Sequence, residues 1–158
     1  MFQHGTKKTI IMLHSHIKIW IHLVWSTKKR KRYFVNNDIR KKLSEHIINK
    51  AKEEKIPFIN LNIQPEHIHG LINLPSNICL ATFMKILKGE SSFWLNNDIF
   101  SETKFSWQRG YGAYSVSASQ FNIVKNYIIN QDKHHKTKSY IKEYNEWKNK
   151  YGFIDDEI

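Results

Sequence analysis

The sequence predicts an α+β fold: a split βαβ, ferredoxin-like antiparallel sheet with helices packed on it and one additional helix at the C-terminal end. Two observations carry this. Segments of period-two apolar alternation and segments of helical apolar spacing succeed one another in the order β-α-β-β-α-β-α. The second and third strand segments are separated only by Gln64-Pro65-Glu66, a corner short enough to make them an antiparallel hairpin.

Each element has its own signal. "HIKIWIHLVWS" alternates, with Ile17, Ile19, Ile21, Leu23 and Trp25 on one face and Lys18, Trp20, His22 and Val24 on the other, and reads as the first strand. From Asn37 or Asp38, the residues Ile39, Leu43, His46 or Ile47, and Lys50 or Ala51 recur at helical spacing to about Lys55, with Asp38 as a candidate cap and Pro57 as the stop. "FINLNIQ" and "HIHGLINL" form the hairpin. After Pro75, Leu80, Phe83, Met84, Leu87 and Phe93 or Trp94 make a second amphipathic helix, with Gly89 as a point of disturbance. "SWQRGYGAYSVS" leads through two glycines into a strand carrying Tyr114, Val116 and Ala118. Ser119 then caps a helix whose face holds Phe121, Val124, Ile128 and Gln131, with Tyr127 beside it, and a mostly polar helix is expected near His135 to Lys150.

At 158 residues the chain is expected to be one domain over its whole length, with residues 1–12 an extension of unassigned role and Met12 an alternative start. The apolar runs are shorter than the roughly 18 residues of a membrane span, and no secretory signal is visible, so no membrane association and a cytoplasmic location are expected. The single cysteine, Cys79, excludes an internal disulfide and a cysteine zinc cluster, so any metal needs histidine and oxygen ligands. Lys and Arg number 25 against 14 Asp and Glu, for a formal net charge of +11, which favours polyanionic partners. The charge is concentrated in "STKKRKRYF", where Lys28, Lys29, Arg30, Lys31 and Arg32 adjoin Tyr33 and Phe34. Cations that grip phosphates beside rings that stack on bases suit unpaired strands.

The chemistry centres on "QPEHIHGLINLP". In a strand, His67 and His69 project to one face while Ile68, Gly70 and Ile72 face the other, and two neighbouring imidazoles can chelate a divalent ion. An isolated His-x-His is more often two polar residues on a solvated face, and His14 and His16 repeat the spacing without an obvious third ligand. Tyr127 and Gln131, four apart on a helix, lie one above the other, so a nucleophile and an oxygen ligand can be delivered together. Taken singly, each is equally an ordinary helix residue.

The combination of "EHIHGLI", "FSWQRGYGAYSVSASQ" and "YIINQDKHH" resembles the single-tyrosine HUH transposases of small bacterial insertion sequences, relatives of the REP-associated tyrosine transposases, over nearly the whole chain. That resemblance implies a metal-dependent enzyme. It assigns His67, His69 and Gln131 as ligands of Mg2+ or Mn2+ and Tyr127 as the nucleophile that cleaves and rejoins single-stranded DNA through a 5′-phosphotyrosine link. It also implies hairpin-bearing DNA ends as substrate and a homodimer in which the tyrosine helix completes the partner's site. No nucleotide cofactor is expected, in keeping with the absence of a G-x-x-x-x-G-K-[ST] loop. On this reading Lys28 to Arg32 contact the DNA backbone and Tyr33, Phe34 and Trp107 are stacking candidates. Glu66 is placed to orient an imidazole, Gly110 and Gly112 are candidate hinges for the tyrosine helix, and His134 and His135 are unassigned. Two alternatives stand beside it: a DNA or RNA hairpin-binding protein of the same fold that does not cut, and a phosphodiesterase using metal-activated water.

Overall fold

The β-branched and aromatic residues of Trp20–Ser26 form β1, the centre of the sheet, because alternation there buries both faces. The computed structural model describes residues 15–134 together with 142, 145, 146 and 149. Along the chain, α1 (Asn37–Glu53), β2 (Phe58–Ile63), β3 (His67–Asn73), α2 (Leu80–Trp94), β4 (Gly112–Val116), α3 (Phe121–Ile129) and α4 (Gln131–His134) follow β1. The sheet has the order β2-β3-β1-β4 with every neighbouring pair antiparallel. This is the predicted α+β, ferredoxin-like split βαβ arrangement.

Ile21, Leu23 and Trp25 of β1 join Ile68 and Ile72 of β3 in the main core, closed by Leu43, Ile47 and Ala51 of α1 and Phe83, Met84 and Leu87 of α2. In β2 the register slips between Phe58 and Asn60, so Phe58 and Leu61 both reach this core and Ile59 is left partly exposed at the edge. Gly70 is required beneath Phe58, because a Cβ there would run into that ring. The opposite face of the sheet carries His22, His67, His69, Leu71, Tyr114 and Val116. It is covered by α3 through a smaller cluster of Leu71, Val116 and Ile128, edged by Trp20, Phe121, Val124 and Tyr127.

Several boundaries differ from expectation. The first strand begins at Trp20, and Ile17 and Ile19 lie outside it, partly exposed. Asn36 caps α1, its Oδ1 accepting from the Asp38 amide at 2.7 Å, so Asp38 is inside the first turn. Gly89 does not interrupt α2, which continues into a π-helical turn at Leu95–Ile99. Ser119 is not the cap of α3: Gln120 occupies that position without a side-chain bond, and the Ser119 hydroxyl meets Ser117 instead. β4 ends at Val116, before Ala118. The expected last helix lies mostly outside the described residues; Lys142, Asn145, Glu146 and Asn149 are helical and exposed. No helix among the described residues is long and apolar enough to cross a membrane.

Candidate active site

β3 delivers His67 and His69 to one face, opposite Ser26 and Val24 of β1, and α3 packs over that face, so both imidazoles are fully buried. Their Nε2 atoms are 3.1 Å apart. Each Nδ1 has its own partner. His67 Nδ1 donates to Glu66 Oε1 at 3.0 Å, and His69 Nδ1 lies 3.0 Å from Nε2 of His22 on the neighbouring strand. Glu66 is therefore no loose turn carboxylate: its side chain is 15% exposed, and its carbonyl accepts from the Thr27 amide at the end of β1. Burial pushes the His22 imidazole down to about 3, which keeps it neutral at ordinary pH. His67 is also lowered, chiefly by burial; Glu66 acts in the opposite direction and the charge of Arg30 lowers it further.

Tyr127 stands edge-on to His69, with ring centroids 5.7 Å apart at 89°, and to His22 at 6.2 Å and 75°; its hydroxyl is buried. Tyr114, opposite His22 on β4, meets the same imidazole at 6.0 Å. Gly112 makes room for it, since a Cβ there would collide with the Tyr114 hydroxyl. The helix carrying Tyr127 breaks at Asn130 and restarts at Gln131, so the two residues are not on one uninterrupted helix. They stay together nonetheless: Gln131 is fully buried and its amide nitrogen donates to the Tyr127 carbonyl at 3.1 Å. The restart is anchored from the hairpin, where buried Gln64 donates to Asp132 at 2.9 Å and to Asn62 at 2.7 Å. Among the described residues no three His, Cys, Asp or Glu side chains form a metal-binding group. Among the described residues a third protein ligand beside His67 and His69 would be an amide or a hydroxyl, and the donor chemistry of Gln131 fits a hard divalent ion.

A model of the IS200-like transposases matches residues 15–131. The chain belongs to the IS200-like transposase family. It is 28% identical over 134 residues, 80% of its length, to the transposase of insertion sequence IS200 from Salmonella typhimurium LT2, covering 84% of that protein, and equally so to the Salmonella typhi one. Among solved structures, the fold is shared with a putative transposase of Deinococcus radiodurans, with a TM-score of 0.60, 23% identity, and 75% of this chain and 94% of that one covered. It is also shared with a REP-associated tyrosine transposase bound to a REP hairpin, with a TM-score of 0.59, 14% identity and coverages of 85% and 74%.

In this transposase-family chain the predicted His67 and His69 come from one hairpin strand, and Tyr127 and Gln131 from two consecutive helices, α3 and α4, of the same polypeptide. His16 is exposed and away from any strand, and His14 lies outside the described residues. Sequence reasoning missed His22, Tyr114 and Gln64. The strand order makes His22 and Tyr114 legible as same-face partners, whereas alternation alone sets His22 among the polar alternates of an edge-like face; Gln64 lies in the corner after β2.

The basic run follows β1 as a short 3-10 turn, Lys28–Arg30, in which Lys29 and Arg30 both hold left-handed φ values of 56° and 54°. Such conformations cost roughly 1–2 kcal/mol per residue and persist only where surroundings enforce them. Here the Lys28 amide donates to Ser106 O, the Lys29 amide to Gln108 Oε1, and the Thr27 hydroxyl to Lys31 O. Lys28, Lys29, Arg30, Lys31 and Arg32 are exposed. Tyr33 is half-buried, capped by Lys31 Nζ at 4.8 Å, and lines a cleft of about 300 Å³ with Lys28, Lys29, Lys31, Lys104 and Ser106. Phe34 and Trp107 are not stacking platforms. Phe34 is fully buried in the main core, and Trp107 packs there with its indole nitrogen donating to Ser91. Nor are the glycines a loose swivel: the Gly110 carbonyl is held by Lys88 at 2.6 Å, and Gly112 is paired within β4.

Proposed function

We propose that this IS200-like transposase cleaves and rejoins hairpin-bearing single-stranded DNA ends by tyrosine transesterification. The observation that supports this best is the arrangement of Tyr127 edge-on to His69, whose Nε2 faces that of His67, with Gln131 bound back onto Tyr127. Tyr127 is the nucleophile: its oxygen forms a bond to phosphorus as the bond to the departing 3′ oxygen breaks, leaving a 5′-phosphotyrosine and a 3′-hydroxyl. Reversal with another 3′-hydroxyl rejoins the strand, and no bond energy is lost to water, so no nucleotide is consumed.

His67 and His69, each through Nε2, and Gln131 through its amide oxygen would hold Mg2+ or Mn2+. Bound there, such an ion would supply Lewis-acid polarisation of the scissile phosphate and help orient it for in-line attack. Glu66 holds His67 in the tautomer with Nδ1 protonated, which turns the Nε2 lone pair toward the site. Arg30, whose charge is felt at His67, carries the basic turn to the edge of the site, where it can steady the phosphate. Lys28, Lys29, Lys31 and Arg32 grip flanking phosphates and Tyr33 offers a ring to an unpaired base.

The enzyme acts in the cytoplasm as a homodimer on this reading. The single chain already assembles Tyr127 with its own His69, so a tyrosine shared between subunits requires α3 to leave its own sheet. The test of the chemistry is a labelled single strand carrying the end of the chain's own element, incubated with Mn2+ and run under denaturing conditions. A slow covalent band is expected from the wild type and none from Tyr127→Phe, with DNA binding retained. An adduct that persists in that variant overturns the assignment of Tyr127, and a strand cut without any adduct points to attack by water.

A further inference from the structure

Three contacts run in line from Glu66 through His67 and His69 to His22, and they constrain where protons sit. Glu66 only accepts, so His67 carries its proton on Nδ1 and presents a bare Nε2. The 3.1 Å contact between the two Nε2 atoms then requires the proton on His69 Nε2. His69 Nδ1 is consequently an acceptor, and His22 must donate to it from Nε2 across 3.0 Å. With one proton on each ring, this is the sole assignment that satisfies all three contacts, every bond pointing toward Glu66.

A divalent ion between His67 and His69 cannot be held by that arrangement, because a ligating Nε2 must be bare. His69 then has to carry its proton on Nδ1 and donate to His22, which has to accept. We propose that His22 is a positioning residue that switches from donor to acceptor, letting His69 change tautomer as the metal arrives. Each ring keeps one proton throughout: on His69 it passes from Nε2 to Nδ1, and on His22 from Nε2 to Nδ1. An imidazole suits this post because either nitrogen can bear the proton. Neither an aliphatic residue nor a fixed donor such as lysine could make both bonds. Tyr114 and Tyr127, both packed on the His22 ring, hold it in the plane the exchange needs.

The inference rests on the reading of His67 and His69 as a metal pair, and its test separates the two. Long-range proton–nitrogen NMR of the 15N-histidine protein reports which ring nitrogen carries the proton. In the metal-free protein the protons are expected on His67 Nδ1, His69 Nε2 and His22 Nε2; with saturating Mg2+, on His67 Nδ1, His69 Nδ1 and His22 Nδ1. Mn2+ affinity, read from the electron paramagnetic resonance of free Mn2+, is expected to fall roughly ten- to hundredfold in His22→Phe and to stay within about threefold of wild type in His22→Gln, whose amide can turn to donate or accept. Should the Phe variant fail to fold, the NMR of wild type and the Gln variant carries the test. A wild type that binds Mn2+ while its His69 and His22 tautomers stay unchanged overturns the switch alone, as does a folded His22→Phe that binds within twofold of wild type. A wild type that binds neither ion overturns the metal reading and the switch with it.

Discussion

Ile128 offers a way to loosen the tyrosine helix without touching the site. Its side chain is fully buried, directly follows Tyr127, and forms with Leu71 and Val116 the small cluster that fastens α3 to the sheet. None of these three belongs to the main core between the sheet, α1 and α2. Truncation of a buried Ile to Ala costs about 3 kcal/mol, and Ile to Val about 1 kcal/mol. Because the cluster is separate from the main core, these costs fall on the docking of α3 more than on the fold as a whole. They correspond to factors of about 150 and about 5 in the ratio of docked to undocked helix.

Two assays read this directly. Amide hydrogen exchange should accelerate in α3 of Ile128→Ala while β1 and β3 keep wild-type protection, and Ile128→Val should lie between. Single-turnover DNA cleavage should fall in the same order, by no more than the docking ratio, because Tyr127 must be seated to react. Equal loss of protection in β1 and α3 would refute the separation of the two clusters. Cleavage unchanged in the Ala variant, with α3 exchange accelerated, would refute the link between docking and chemistry.

Other consequences are as open to measurement. His67→Ala, His69→Ala and Gln131→Ala should each weaken Mn2+ binding more than tenfold, whereas His14→Ala with His16→Ala should not; equal damage from the second pair would move the site. Replacing Lys28, Lys29 and Arg30 together should lower the slope of log affinity against log salt by about 0.7 for each phosphate of a single strand that is no longer neutralised, and an unchanged slope would return the turn to solvent. Mixing Tyr127→Phe with His67→Ala subunits should restore no cleavage while α3 keeps to its own sheet. Recovery to roughly a quarter of wild type, from statistically formed heterodimers with one intact site each, would instead show that subunits exchange the tyrosine.

The strands and helices were legible because each buries one face, so apolar spacing announces it. What periodicity does not carry is the partner of a polar position. His22 sits among the alternates opposite the main core, and in the sequence it is indistinguishable from a solvated residue; only the pairing of β1 with β3 places it beside His69. The same ignorance of neighbours puts Phe34 and Trp107 among stacking candidates, although the core claims both. Caps fail for a related reason. Asn36 and Asp38 are both competent, and the choice depends on which backbone turns first. Gly110 and Gly112 resemble a hinge because glycine marks freedom in a sequence, whereas here one is pinned by Lys88 and the other yields space to Tyr114. The facing of His67 and His69 was legible because period-two spacing alone sets it, whereas Tyr127 and Gln131 are kept together across a helix break by the bond from the Gln131 amide to the Tyr127 carbonyl, which spacing does not carry.

The division of the sheet into two unequal cores bears on how such a site reaches a substrate. His67, His69 and Gln131 are fully buried, so on the proposed chemistry a scissile phosphate would reach them only with some displacement. The main core is the wrong part to yield, since it holds α1, α2 and the inner face of every central strand. The outer face is closed by nine-residue α3, held chiefly by Ile128 with half-buried neighbours such as Phe121 against Trp20. That element also carries Tyr127. A displacement of α3 that admitted DNA would therefore carry Tyr127, the proposed nucleophile, with it, and its return would bring Tyr127 and Gln131 back together, since the Gln131 amide is bonded to the Tyr127 carbonyl. On the proposed chemistry, a firmer apolar seal would hold the tyrosine better and admit the strand less readily, so the thin cluster under α3 would set a balance between access and alignment.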